Sequence, residues 1–298
     1  MFQGVVAAAC EAVPHYYLIH EFPENEFAYY LDKIDFIDEN TDEIFAVTGA
    51  LCTELSEKFK SHQVKSFTPF TEIQGSELIP GEKTRLVSVG RLTKRKNQLE
   101  LIKAYQKLDH PDVELVFIGA WDDNYKTICD AYIKDNQIKG ILFTGQLEKP
   151  WEDITSQDIC IFTSQMETFG LVYVEAILNG IPVIFSNNPG HLSAYDLFKV
   201  GQVYQLGEIT ELSQMIQESL LNFKALKVVA LEQVECLQKQ YTVEKSYEQI
   251  LETLASQKTY PPKSIRHLVN LLSTNEPKSK LSRLESKIRR KIRQFLKG

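Results

Sequence analysis

From residue 81 to residue 252 the chain alternates short apolar runs with stretches of helical spacing. The apolar runs fall at 85–90, 113–119, 141–144, 158–163 and 181–186, with a weaker one at Gln202-Val203-Tyr204. They show little in–out alternation, which is the pattern of strands buried on both faces. Between them the clearest helical repeat is Gln98-Leu99-Glu100-Leu101-Ile102-Lys103-Ala104-Tyr105. Strands of this kind joined by helices predict a parallel sheet covered on both sides. Helical spacing continues over 209–222, 225–239 and 243–254. Ahead of residue 66, Tyr16-Tyr17-Leu18-Ile19 and Glu43-Ile44-Phe45-Ala46-Val47 read as two further strands, each followed by a helix-compatible segment. The apolar stretch from Gly4 to Cys10 lacks a basic flank and is too short for a secretory signal, so it reads as a helix packed in a core.

One strand–turn–helix–turn–strand unit carries candidate chemistry. After Ile159-Cys160-Ile161-Phe162-Thr163 comes Met166-Glu167-Thr168-Phe169-Gly170-Leu171-Val172-Tyr173-Val174-Glu175-Ala176, and then Asn179-Gly180-Ile181-Pro182-Val183-Ile184-Phe185. One acid stands before the expected helix and the other within it. A helix start offers unpaired N–H groups and a positive dipole end, which suits a phosphate. Carboxylates on either side of it can accept hydrogen bonds from sugar hydroxyls flanking a diphosphate. A second unit fits the same ligand. The strand Arg85-Leu86-Val87-Ser88-Val89-Gly90 runs into Arg91-Leu92-Thr93-Lys94-Arg95-Lys96-Asn97, a cationic loop at a strand end.

With its Gly-Arg-Leu…Lys and Glu-x-Phe-Gly-x-x-x-x-Glu elements in this order, the chain resembles the retaining glycosyltransferases of the family 4 type, built on the GT-B fold. The resemblance covers about residues 66 to 252. It implies an α/β, GT-B-like fold: a complete C-terminal Rossmann-like domain with a parallel sheet, an incomplete N-terminal one, and a C-terminal helical tail. It also implies site residues. Arg91 and Lys96 match the pair that neutralises the departing diphosphate, and each such charged hydrogen bond contributes about 1.5–3 kcal/mol. Glu167 matches the acid set against the donor sugar's hydroxyls, and Glu175 the one that holds the ribose. Phe169, Gly170, Leu171 and Val172 would offer backbone N–H groups to the phosphates. Gly90 at the strand end belongs to the same pocket, and Gly145, with Gln146, lies where relatives bind the base. His20, in Ile19-His20-Glu21, matches the histidine brought to the reacting sugar from the first domain.

Each residue has a plainer reading. Arg91 and Lys96 could sit in a solvated loop, and Lys94 and Arg95, which the motif does not require, read as exposed surface. Glu167 could serve only as a capping or dipole residue beside Thr168. Leu171 and Val172 could be core residues at a helix start, and a lone histidine at a strand end is often structural. Glu21 could orient His20 or be exposed. The Asn187-Asn188-Pro189-Gly190 loop should face the same cleft; relatives often place an acid somewhat further on, where this chain has Ser193 and Asp196.

Bulk properties narrow the picture. The chain has 298 residues, 43% hydrophobic and 24% charged, as in globular proteins of one or two domains. Its five cysteines (Cys10, Cys52, Cys129, Cys160, Cys236) are scattered and mostly in apolar stretches, so reduced core thiols in a cytoplasmic protein are expected. No Asp-x-Asp motif or His/Cys cluster has metal-ligand spacing, so metal-free chemistry is expected, with the nucleotide-diphosphate sugar as donor substrate and no cofactor. Net charge is −7, yet residues 277–298 hold nine Lys/Arg against one Glu, leaving −15 on the rest. An acidic body argues against a nucleic-acid partner. In the tail, Leu284, Ile288, Ile292 and Phe295 recur at helical spacing among six cations between Arg283 and Arg293. Such a helix at 280–297 can lie on an anionic membrane, with about 1 kcal/mol per cation near the surface, or pack on the acidic body or a partner chain.

The expected organisation is 1–72 as a partial acceptor-side domain, 73–240 as the nucleotide-sugar domain, 241–258 as a cross-over helix and 259–298 as the basic tail. A first domain of this type normally has more than twice the length found here. The expectation is therefore a shortened reading frame, completion by a second polypeptide, or a degenerate enzyme. The expected function is transfer of a hexose from a UDP- or GDP-sugar to a glycan or lipid-linked hydroxyl in polysaccharide or glycoconjugate biosynthesis. It would take place at the inner face of the cell membrane. The alternatives are a partner-dependent, non-catalytic subunit on the same fold, or a sugar-nucleotide epimerase.

Overall fold

The computed structural model describes residues 2–256 and 260, apart from 12, 73–77, 109 and 111. Among these residues, nine parallel strands form two sheets. The first sheet has the order β1 (Tyr16–Ile19), β2 (Glu43–Val47), β3 (Val64–Phe67). The second has the order β6 (Ile141–Gly145), β5 (Glu114–Ile118), β4 (Arg85–Val89), β7 (Asp158–Phe162), β8 (Val183–Ser186), β9 (Gln202–Tyr204). The sequence-expected strands are all present. β3 is an addition, because Val64-Lys65-Ser66-Phe67 has too few apolar positions to read as a buried run.

The order of the second sheet decides where a ligand can sit. From β4 the chain steps outward through β5 to β6, then returns to β7 on the other side of β4 and steps outward to β9. The loops after β4 and β7 therefore diverge and leave a crevice at the carboxyl ends of the two central strands. The cationic loop and the Glu167 turn follow those two strands.

At the opposite ends of the same strands, Arg85 faces Asp158 in the β4–β7 register. Its Nε donates to Asp158 Oδ1 at 2.9 Å and Nη2 to Oδ2 at 2.7 Å, while the Thr155 N–H and hydroxyl donate to the same carboxylate. Asp158 is fully buried. Removing the guanidinium would strand that charge, so Arg85→Ala is expected to destabilise the protein by about 3–5 kcal/mol. A urea midpoint equal to that of the unaltered protein would contradict this.

Past the helix Phe223–Gln240, the chain returns to the first sheet. There Thr68 N–H donates to Ser246 O, Ser66 N–H to Gln249 Oε1 and Lys65 Nζ to Thr253 Oγ1. One apolar core runs through both sheets, with Phe45 and Phe67 joined to Phe162, Phe169, Tyr173 and Tyr241. The helix Phe2–Glu11 buries Val5, Ala8 and Ala9 in keeping with its apolar stretch. The cysteines depart from expectation: Cys129 and Cys160 are buried, Cys52 is half-buried, and Cys10 and Cys236 are exposed. Apolar neighbours in sequence do not fix which side of a helix a thiol occupies. Among the described residues no helix is long and apolar enough to cross a membrane. The basic segment 280–297 lies outside the described residues.

Candidate donor-sugar site

Two glycines let the chain turn at the crevice. Gly90 leaves β4 at φ +140°, and a Cβ on Gly119, after β5, would stand 2.3 Å from the Gly90 carbonyl oxygen. The cationic loop is then tied to the β7 side. The Thr163 hydroxyl donates to the carbonyls of Lys96 and Asn97 at 3.1 and 3.0 Å, and Gln165 N–H donates to Arg95 O at 2.7 Å. These bonds bring Lys96 against Glu167, with Nζ 2.6 Å from Oε1. Glu167 is 6% exposed. Burial alone would raise its pKa, but Lys96, His191 and its hydrogen bonds outweigh burial and hold the carboxyl below its ordinary value.

The helix Leu171–Leu178 begins at Gly170, which caps it in the left-handed region at φ +78°. Its first intrahelical bonds run from Tyr173 and Val174 N–H to Gly170 O, so the N–H groups of Leu171 and Val172 precede the ladder. A purely capping role for Glu167 does not fit, because the cap is three residues later.

Two hollows meet at this helix start. One, of about 220 Å³, is lined by His20, Glu21, Val47 and Pro69 from the first-sheet side and by Lys96 and residues 167–172 from the other. The second, of about 640 Å³, is lined among others by Gly90, Arg91, Gln146, Trp151 and Glu175. Val172 lines both.

The sequence-expected residues thus come together, with qualifications. Arg91 is exposed and lines the groove with Gly90. Gly145 stands one residue away from the groove lining, which takes Gln146 and Leu147 instead; its own carbonyl accepts from Gly119 N–H at 2.9 Å. His20 is exposed in the chamber with its ring edge on Phe67, centroids 5.0 Å apart. Burial lowers the pKa of its imidazole, partly offset by Glu21. Glu175 is already engaged: Trp151 Nε1 donates to one oxygen and the Thr71 hydroxyl to the other, both at 2.9 Å. Burial raises its pKa, and those bonds and Lys96 offset part of the rise. Each carboxylate oxygen keeps a second lone pair for a further hydrogen bond.

Several contributors escaped the sequence reading. Arg95 is exposed, as expected, yet its Nη1 lies 3.8 Å from Glu167 and 4.0 Å from Glu21. Glu21 also accepts from the Thr168 hydroxyl at 3.0 Å, which ties the first-sheet side to the Glu167 turn. Nothing local in sequence announces such long-range contacts, nor those of Thr71 and Trp151. The Asn187-Asn188-Pro189-Gly190 stretch, expected as a loop, instead opens a helix: Asn188 caps the helix Pro189–Phe198 by accepting from Gly190 and His191 N–H. Gly190 presses on the Glu167 turn, and His191 lies fully buried beneath Gly170. Burial holds the His191 imidazole down to about 4, with Glu167 pulling the other way.

The family model described as "Glycosyl transferases group 1" matches residues 69–229. An uncharacterized glycosyltransferase of Haemophilus influenzae is 27% identical over 214 residues, 70% of this chain and 60% of that protein. The poly(glycerol-phosphate) alpha-glucosyltransferase of Bacillus subtilis is 30% identical over 152 residues, 49% of this chain. The chain spans 60% and 22% of the lengths of these two curated relatives. Among solved structures, Anabaena Alr3699/HepE in complex with UDP and glucose superposes with a TM-score of 0.73 at 21% identity, over 85% of this chain and 74% of that one. That likeness shows the GT-B fold. A family match over more than half of the sequence, on a GT-B fold, places the chain in the glycosyl transferases group 1 family.

Proposed function

We propose that the chain binds a UDP- or GDP-hexose between the two hollows and transfers the hexose, with retention, to a hydroxyl of a glycan or lipid-linked acceptor. The observation that carries this reading is the Lys96–Glu167 pair at the start of the 171–178 helix, at the β4/β7 reversal of strand order. Lys96 and Arg91 would neutralise the diphosphate as the glycosidic bond breaks, and the N–H groups of 169–172 would share that charge. Glu167 would hold hydroxyls of the sugar in the small chamber. Glu175 would take the ribose in the groove, and His20 would complete the chamber from the first-sheet side. All of this is metal-independent electrostatics.

The UDP and glucose bound to the Anabaena protein support a UDP-sugar over a GDP-sugar, and the Bacillus subtilis poly(glycerol-phosphate) alpha-glucosyltransferase supports a polymer as acceptor. We assign 1–72 to the acceptor side, 73–240 to the donor and 241–258 to the cross-over. The tail from 259 would hold the enzyme on the inner face of the cell membrane through its cations. A partner-dependent subunit is the second reading, favoured by a first sheet of only three strands among the described residues.

The test is a panel of UDP- and GDP-hexoses, scored for nucleoside diphosphate release with and without a polysaccharide acceptor, and by NMR for the anomeric configuration of the product. Acceptor-dependent release with retained configuration is expected. Product formed without acceptor would favour an epimerase. Donor binding without turnover would favour the subunit reading.

A further inference from the structure

Arg91 and Lys96 stand on one loop, and a buried side chain that the donor-site reading does not use bridges it. Gln98 opens the helix Gln98–Tyr105 and is 2% exposed. Its Nε2 donates to Arg91 O at 3.1 Å, and its Oε1 accepts from Thr93 N–H at 3.3 Å. A backbone carbonyl only accepts and a backbone N–H only donates, so these partners fix the orientation of the amide. Among the described residues no other hydrogen bond reaches that carbonyl or that N–H.

The bonds run on to Lys96. Thr93 O accepts from Lys96 and Asn97 N–H at 3.0 and 3.1 Å, and Thr93 Oγ1 accepts from Lys96 N–H at 3.3 Å. Leu92, between Arg91 and Thr93, is pinned to the chain after β5: its N–H donates to Ala120 O at 2.8 Å and its carbonyl accepts from Asp122 N–H at 2.9 Å. A buried amide is costly unless both of its ends are bonded. Here both ends are spent on the loop that carries the cations. Gln98 therefore holds the backbone of Arg91 directly and that of Lys96 through one intervening residue. The cationic side chains themselves stay out of its reach, with Arg91 exposed and Lys96 on Glu167.

We propose that Gln98 is a positioning residue for the donor: its amide sets the spacing of Arg91 and Lys96 so that both cations meet one diphosphate. This rests on the reading of the crevice as the donor-sugar site. It explains why a polar side chain is buried at the first position of this helix, and why its two bonds end on the loop and not on the sheet.

The test is calorimetry of UDP and GDP with the full chain. Gln98→Met keeps the length of the side chain and removes both hydrogen bonds; it should weaken the bound nucleotide about tenfold, as for one charged hydrogen bond lost. Gln98→Glu keeps the acceptor for Thr93 N–H but sets an oxygen against the Arg91 carbonyl, and it should weaken binding at least as much. Either variant alone suffices for the comparison. Added to Arg91→Ala, Gln98→Met should cost less than about threefold, because one of the two cations through which it acts is already gone. A further measurement needs no variant: nitrogen-15 NMR of the unaltered protein should find the Gln98 side-chain amide protons exchanging slowly with solvent and shifting when the nucleotide is added. Affinity of the Gln98 variants equal to that of the unaltered protein overturns the proposal and leaves the donor site standing. So does a full tenfold loss on top of Arg91→Ala, or an amide that the nucleotide does not shift. If the unaltered protein binds neither nucleotide, the donor-site reading itself fails and this proposal falls with it.

Discussion

Lys96→Ala is expected to lower turnover by roughly 10²–10³, the effect of removing one preorganised group from a developing charge. The loss has two sources in the geometry. The cation that would face the diphosphate is gone, and the Glu167 carboxylate, 6% exposed, loses its nearest cation, with Arg95 more distant at 3.8 Å. The second source also predicts a pH signature. In the unaltered protein the Glu167 pKa is held below its ordinary 4.5, chiefly by Lys96 working against burial. A depressed carboxylate contributes stability above its unfolded pKa, and that contribution is lost as pH falls through the folded value. Without Lys96 burial dominates and the sign reverses. The stability deficit of Lys96→Ala should therefore be largest at neutral pH and shrink as pH falls below 4.5. A deficit independent of pH would show that Lys96 and Glu167 are not coupled. Lys239→Ala, at an exposed pair on the outer helix, should change neither activity nor stability by a measurable amount.

Gly190→Ala should be the most damaging small change near the site. A Cβ there would stand 2.1 Å from the Glu167 carbonyl oxygen and 2.3 Å from its carbon. Those are backbone atoms and cannot rotate aside, so the turn carrying Glu167 must move. A displacement on the order of 1 Å can cost about 10²-fold in activity, and overpacking of this kind costs about 1–3 kcal/mol in stability. The comparison is Gly207→Ala, where nothing lies within 4 Å of the added carbon and the cost is only that of holding alanine at φ +93°. Its activity should be unchanged. Equal activity in the two variants would show that the contact between Gly190 and the turn does not position Glu167.

The central strands were legible in the sequence because a strand buried on both faces leaves a continuous apolar run. β3 was not, since Lys65 and Ser66 turn to partners on the returning C-terminal helices. The site was legible where it follows a strand end, as for Lys96 and Glu167. The remaining contacts were hidden by sequence distance: Glu21 meets Thr168 147 residues away, and Thr71 meets Glu175 104 residues away. Such contacts arise from closure of the two sheets over one core and leave no local periodicity. Gly190 and His191 were hidden for a different reason. Each acts by fitting against a turn whose course only the folded backbone reveals.

A nucleotide-sugar pocket in the crevice between the β4 and β7 loops requires that a nucleoside diphosphate bind there. Calorimetric titration of UDP and GDP into the full chain, repeated with Lys96→Ala and Glu175→Ala, tests it most directly. One of the two nucleotides should bind, with affinity falling in both variants: in the first through the diphosphate, in the second through the ribose. No heat of binding from either nucleotide, or unchanged affinity in both variants, would contradict it.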